Sequence, residues 1–249
     1  MFGLRNFRGS CWVNACLQGL FRVPETQKKY ETEQSDSTDI ALQKIWSTQG
    51  ESGLEEFFQT VKVARLPAGQ NVGDSHELFH YLCDKLPWLD QLCRFKVADR
   101  VVCSTCKKTE LKEDSTIEMT LYPERQNTSL SDAIRNMVLP VSIPDWKCES
   151  CNGSGCTKQF LIGTFPKVMM MYIANASVQY SSILSINSHK YGLLAVLCYN
   201  GSHWWAYGRN MPPGQPWYTL DDTRAAPHRG DEFPLSDTVR VLLYYRLDE

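Results

Sequence analysis

The sequence has no run of about 18 apolar residues, which excludes a membrane-spanning helix. It also has no excess of one charge. Its 26 Lys and Arg stand against 28 Asp and Glu, and the net charge of −2 gives no bulk attraction to nucleic acid or to an acidic membrane surface. No internal repeat is present. No apolar stretch follows Met1, so a secretory leader is not expected. Without export, the ten cysteines do not read as a disulfide framework. The expectation is thiol or metal chemistry in a reducing, intracellular compartment, cytoplasmic or nuclear. What remains is ordinary globular composition: 249 residues, 43% hydrophobic and 22% charged, enough for one domain or two subdomains with a sizeable core.

The stretch from Gly3 to Gln18 places Cys11 at the start of an expected helix. Ser10 is the expected cap, and Trp12, Ala15, Cys16, Gly19 and Leu20 share a packed face. A thiol at a helix N-terminus feels the positive end of the dipole, which favours the thiolate. Asn6, five residues upstream, places an amide where it can face an oxyanion formed beside Cys11. A thiol alone means little, because most intracellular cysteines are buried small hydrophobes. A base and an orienting acid stand near the other end of the chain. Tyr191 to Tyr199 reads as a strand, Asn200-Gly201-Ser202 as a tight turn, and His203 to Arg209 as the returning strand. Trp217 to Asp222 reads as a third strand ending in acid. On an antiparallel sheet His203 and Asp221 become neighbours, one to take the thiol proton and the other to hold the imidazole tautomer.

Helical spacing predicts further helices over 39–46, 54–66, 74–86, where Pro87 ends the run, and 130–138, capped by Ser129. Strands are expected over 95–102, 110–121, 158–164 and 168–173. A helical first third followed by strands is an α+β pattern.

Two metal signals compete. Cys103-Ser104-Thr105-Cys106 and Cys148-Glu149-Ser150-Cys151 are two C-x-x-C knuckles, suited to one tetrahedral Zn²⁺. Gly153 and Gly155 ease the second turn, and Cys156 is a less well spaced competitor. Such a site is structural, since four thiolates leave no open position. His76-Glu77-Leu78-Phe79-His80 matches H-E-x-x-H, which on a helix places two histidines on one metal with Glu77 to activate water. No downstream G-x-x-H and no third-ligand Glu on a following helix is evident, so no metal is expected at His76 and His80.

These segments together resemble the ubiquitin-specific protease family of papain-like cysteine proteases. Gly3, Leu4, Asn6, Cys11, Asn14, Leu17 and Gln18 match its G-L-x-N-x-G-N-T-C-Y-M-N-x-x-L-Q box. Tyr191, Leu193, Ala195, Val196, His203, Ala206, Tyr207 and Arg209 match its histidine box, and Trp217, Tyr218, Asp221 and Asp222 its W-Y-x-F-D-D. Gly73-Asp74-Ser75-His76-Glu77-Leu78 falls on Q-D-A-H-E-F, which accounts for His76 and Glu77 without a metal. The resemblance implies Cys11 as nucleophile, His203 as base, Asp221 as orienter and Asn6 as oxyanion donor. It implies a thumb (1–92), zinc-knuckle fingers (93–164) and a palm (165–249). Substrate contact is expected at Asp74 and Glu77, as partners for the arginines of the ubiquitin tail, and at Trp204 and Tyr207.

The departures are Arg8-Gly9 and Ser202 before the catalytic residues, Trp12 for Tyr, Gly73 for Gln, Cys198 where the family often has His, a short 199–203 loop, and no Arg-Phe ending after Met171. The function expected is a deubiquitinase with ubiquitin or a ubiquitin-like modifier as partner and one structural Zn²⁺. The alternatives are an isopeptidase for SUMO or another modifier, a metalloprotease on His76 and His80, and a non-catalytic ubiquitin-binding module.

Overall fold

Apolar residues recur at helical spacing in the first third of the chain and in runs of six to eleven thereafter. The computed structural model, which describes residues 1–65, 72–175, 177–211, 214–229 and 233–248, turns these patterns into a helical layer and two sheets. The helices are α1 (Cys11–Leu20), α2 (Pro24–Lys29), α3 (Ser37–Ser47), α4 (Leu54–Arg65), α5 (Ser75–Lys85) and α6 (Pro87–Cys93). The expected end of the fourth at Leu66 lies outside the described residues. Helices α2 and α6 go beyond the expected set. Both are short, and each takes a proline into its first turn, where the missing N–H costs nothing. Pro87 therefore ends α5 and also starts α6. Residue Leu86 before it is extended, as the proline ring requires.

Every residue of α1 is buried. It lies against the larger sheet on one side and α5 on the other. That sheet runs β13-β12-β11-β10-β14-β7-β3, with β9 also paired to β10. Its members are β3 (Glu118–Leu121), β7 (Val168–Ile173), β9 (Ile183–Ile186), β10 (His189–Tyr199), β11 (Trp204–Gly208), β12 (Tyr218–Asp221), β13 (Arg224–Pro227) and β14 (Val239–Arg246). All its pairings are antiparallel except β3 with β7. Leu17, Leu20, Phe79, Leu197 and Leu243 pack on its helical face. Met169, Met171, Val196, Leu242 and Tyr244 pack on the other. Each fully buried side chain of this size contributes roughly 1.5–3 kcal/mol. With both faces covered, β10 is apolar nearly throughout. Strand β14 sits between β10 and β7 and lies outside the expected strands, although its VRVLLYY run has the composition of a buried strand.

The smaller sheet has the order β2-β1-β6-β5, from β1 (Phe95–Cys103), β2 (Thr109–Thr116), β5 (Val141–Lys147) and β6 (Ser154–Ile162). The single strand expected over 110–121 is two strands in different sheets. Between β2 and β3, the buried Ile117 joins the helix-side core and carries the chain from one sheet to the other. Helix α7 (Leu130–Val138) has the predicted cap, with Ser129 Oγ accepting from Asp132 N at 3.0 Å. It follows β4 (Thr128–Ser129), which pairs in parallel with β8 (Val178–Gln179). Among the described residues, no helix is long and apolar enough to cross a membrane.

Candidate active site

The N-terminal segment is docked across the turn between β12 and β13 before it enters α1. A Cβ on Gly3 would lie 2.1 Å from the carbonyl oxygen of Thr223, so only glycine fits there. Leu4 N donates to Asp222 O at 2.7 Å. Asn14 and Gln18 reach back from α1 to hold the same segment. Asn14 Nδ2 donates to Leu4 O (3.2 Å) and to Asp222 Oδ1 (2.7 Å), and Gln18 Nε2 donates to Phe2 O (2.7 Å). Arg8 and Gly9 both have positive φ, 50° and 103°. Asn6 Oδ1 closes this turn by accepting from Gly9 N (3.0 Å) and Ser10 N (3.2 Å).

Ser10 stands at the expected cap position, but its side chain does not cap α1. Its hydroxyl points back into the loop and accepts from Phe7 N at 2.9 Å. The backbone N–H groups of Cys11 and Trp12 instead face the Cys11 sulfur, joined by that of Trp204 from β11. These donors favour a thiolate, yet Cys11 is only 2% exposed. Burial dominates and pushes the thiol above its ordinary value, with the charge of Asp222 adding to the rise and the three N–H groups opposing it. Desolvation thus works against the thiolate that the helix terminus favours, and the net push on the thiol is upward. Cys16, one turn further on, is fully buried and pushed higher still by desolvation.

The histidine is held by the turn before β11. Asn200 Oδ1 accepts from Ser202 N (3.1 Å) and His203 N (2.9 Å), and Gly201 supplies the positive φ. Strands β11 and β12 pair with Ala206 opposite Leu220. That register puts His203, just before β11, on the diagonal from Asp221, the last residue of β12. His203 Nε2 donates to Asp221 Oδ1 at 2.7 Å, which leaves Nδ1 as the nitrogen available to a thiol. The next residue, Asp222, has φ 50°, and its carboxylate stays within 4.8 Å of the His203 nitrogen and the Asp221 carboxylate. Asp222 Oδ2 accepts from Asn6 Nδ2 at 2.8 Å while Oδ1 accepts from Asn14. Thus one acid of the pair serves the histidine and the other fixes the amide of Asn6. The second role is visible only once residues more than 200 positions apart are brought together.

The residues expected to touch substrate are scattered. Asp74 is the N-cap of α5, accepting from His76 N at 2.7 Å, and burial raises its carboxyl against that bond. Glu77 is exposed on the same first turn. Trp204 is 3% exposed and stacks on Tyr199 with centroids 4.8 Å apart, so its side chain belongs to the core and offers no surface. Tyr207 packs on the far face of the sheet from α1, edge-on to His228. Alternation along β11 sets the two apart: Trp204 is covered on the α1 side, and the half-buried Tyr207 lies on the opposite face. Two departures from the family pattern are one feature. A Cβ at Gly73 would lie 2.8 Å from the Trp12 ring, so the larger ring at 12 requires glycine at 73.

Two more clusters assemble. The sulfurs of Cys103, Cys106, Cys148 and Cys151 lie within 4.8 Å of one another and can hold a metal ion. Cys103–Cys151 and Cys106–Cys148 are each 3.8 Å apart. Thr105 N and Gly153 N donate to Cys103 and Cys151 sulfurs, both at 3.4 Å. A Cβ at Gly153 would strike Thr105 Oγ1 at 2.4 Å. Cys156, cross-strand from Cys103, stays outside the set. In the second cluster, His76 and His80 both donate to Glu118 of β3. Burial opposes ionisation of Glu118, but the bonds from His76, His80 and Thr120 outweigh it and hold the carboxyl below the ordinary carboxylate range.

The family model described as ubiquitin carboxyl-terminal hydrolase matches residues 2–244. No curated protein matches the sequence. Among solved structures, the chain is similar to a Ubp8/Sgf11/Sus1/Sgf73 SAGA deubiquitinating module bound to monoubiquitin, with TM-score 0.83 and 15% identity over 100% of this chain and 69% of that one. The same module bound to ubiquitin aldehyde gives TM-score 0.81 and 15% identity, covering 100% and 70%. A yeast module carrying a variant Sgf73 gives TM-score 0.81 and 14% identity, covering 100% and 69%.

Proposed function

The chain belongs to the ubiquitin carboxyl-terminal hydrolase family, a family of cysteine-type deubiquitinases, and within that activity we propose that Cys11 is the nucleophile, His203 its general base, Asp221 the residue that orients the imidazole and Asn6 a donor to the oxyanion. The observations that carry this reading are the His203 Nε2–Asp221 bond of 2.7 Å and a Cys11 sulfur facing three backbone N–H groups, one from Trp204, the residue after His203. Burial favours the protonated thiol, and His203 Nδ1 takes that proton as the sulfur attacks the carbonyl of the modifier's C-terminal glycine. The Cys11 N–H and the Asn6 amide, held by Asp222, receive the oxyanion. His203 then protonates the leaving lysine amine, and water, deprotonated by the same ring, hydrolyses the thioester. Asp74 and the exposed Glu77 remain the proposed partners for a basic modifier tail. Trp204 takes part through its backbone N–H.

The four cysteines are proposed to hold one structural Zn²⁺. A regular tetrahedron with Zn–S bonds of about 2.3 Å has edges of about 3.8 Å, the separation of both sulfur pairs. The division into thumb (1–92), fingers (93–164) and palm (165–249) is retained, with β3 as a finger-range strand that pairs into the palm sheet. Ten free cysteines support residence in a reducing compartment, cytoplasmic or nuclear.

The test is a set of modifiers ended with propargylamide. The ubiquitin probe should form one adduct of the expected mass, mapped to Cys11, and Cys11→Ser should form none while still binding ubiquitin. Adduct formation with a SUMO probe in preference to ubiquitin would sink the substrate assignment. Labelling at Cys16 would sink the nucleophile.

A further inference from the structure

The H-E-x-x-H segment lacks a third ligand in the sequence downstream of it on any helix, yet the fold brings one from a strand. His76 and His80 lie one turn apart on α5, so both rings leave the same face of the helix. The Glu118 side chain of β3 reaches that face, and its carboxylate meets both. Oε2 accepts from His76 Nε2 and, at 2.8 Å, from His80 Nε2. The donor atoms of all three lie within 4.8 Å of one another.

Three further features give the cluster the organisation of a site. Thr120 Oγ1 donates to the other carboxylate oxygen, Glu118 Oε1, at 2.7 Å and fixes the plane of the group. The His76 ring stacks on Tyr172 of β7, with centroids 4.1 Å apart and planes 14° from parallel, which fixes the first imidazole. The side chains are 16%, 36% and 14% exposed for His76, His80 and Glu118, so the cluster is sheltered but open from the His80 side. Two imidazoles converging on one carboxylate oxygen form an ordinary hydrogen-bonded group when each ring carries a proton there. They also form a set of two nitrogens and one oxygen that, on losing those protons, suits a borderline divalent cation. Ligand orientation by an outer hydrogen bond, here from Thr120, is the usual support of such sites.

We propose that His76, His80 and Glu118 bind a second Zn²⁺, separate from the four-cysteine site, with the fourth position open to water. The cation ties α5 to β3. The start of α5 touches the nucleophile's own helix, where Ser75 Oγ donates to Trp12 O at 2.7 Å and Gly73 packs on the Trp12 ring. Zinc at this site therefore fixes the helix start that packs beside Cys11. It takes no part in bond cleavage, which belongs to the thiol.

The experiment measures metal content of the full chain, stripped and then titrated with Zn²⁺ or Co²⁺, and does not depend on turnover. The wild-type protein should take up two equivalents. One Co²⁺ should show thiolate-to-metal charge transfer, and the second should show only the weaker visible bands of nitrogen and oxygen ligands. Glu118→Gln and, because His80 is the most exposed ligand, His80→Ala should each keep the thiolate-type equivalent and lose the other, with circular dichroism unchanged. Thr120→Val should weaken the second equivalent about 10–100-fold. The proposal is overturned by a wild-type protein with no equivalent free of thiolate charge transfer, or by His80→Ala and Glu118→Gln proteins that retain it.

Discussion

The two sheets of this molecule are held together by different means. In the larger, β10 is buried nearly end to end and apolar side chains cover both faces. In the smaller, β2 is exposed at seven of its eight residues and β5 at five of seven. The first gains its stability from burial. The second has too little apolar surface to do so, and its tip is drawn together by four thiols. The Cys11 thiol rests against the self-sufficient sheet, and the four-cysteine cluster closes the dependent one. A change in either region should leave the other in place.

The sharpest expected effect is confined to the large sheet. Asp221→Ala should lower kcat by about 10⁴ through loss of the imidazole tautomer, with the melting temperature nearly unchanged. Asp222→Ala should behave differently. It removes the side-chain acceptor of Asn6 and the shortest of the acceptors of Asn14, and should cost about 1–3 kcal/mol of stability as well as rate. A cycle of unfolding and ubiquitin-substrate kinetics on both variants separates the two, and equal profiles would merge their roles.

Breaking the four-cysteine cluster of the small sheet tests the other side. Cys148→Ser, which leaves the His76, His80 and Glu118 cluster intact, should raise amide exchange over 95–116 and 141–162 by orders of magnitude while β10, β11 and β14 stay protected. Activity should fall only as the first set opens. Uniform exchange across both sheets would mean that they are one cooperative unit.

Much of the candidate site's geometry is legible in the sequence because its residues sit in short motifs with the spacing of local structure. Cys11 opens a helix, and His203 and Asp221 end adjacent strands. What is not legible depends on partners far along the chain. The bond from Asn6 to Asp222 spans 216 positions, and Glu118 reaches His76 across 42. The thiol's proton affinity follows from burial depth, which a local dipole rule does not contain. Trp204 and Tyr207 look alike in a motif, and only the alternation of β11 against α1 tells them apart. Strand β14 carries a plain apolar signal. Helices α2 and α6 are too short for periodicity to speak.

Two smaller effects refine the picture within the helical layer. Gly73→Ala should destabilise the fold by about 1–3 kcal/mol through overpacking, and Trp12→Phe in the same chain should recover most of the loss. Additive losses in denaturant unfolding would mean that the two positions are unrelated. Smallest is the effect of pH on the free thiol. Because burial raises its proton affinity, the rate of Cys11 alkylation by iodoacetamide should climb about tenfold per pH unit through neutrality and still be rising near pH 8.5, the ordinary thiol value. A plateau below pH 7 would indicate a resting thiolate instead.

Helix α1 has no face turned to water. An ordinary surface helix such as α7, buried at Leu130, Ala133 and Ile134, has spare positions that drift freely, and a map of tolerated substitutions along it is striped every three to four residues. Along 11–20 that map should be an unbroken block. The proposed nucleophile thus sits in a segment with no neutral neighbours, where adaptation to new substrates has nowhere to begin. Diversification of specificity is left to the loops and strand ends that surround it.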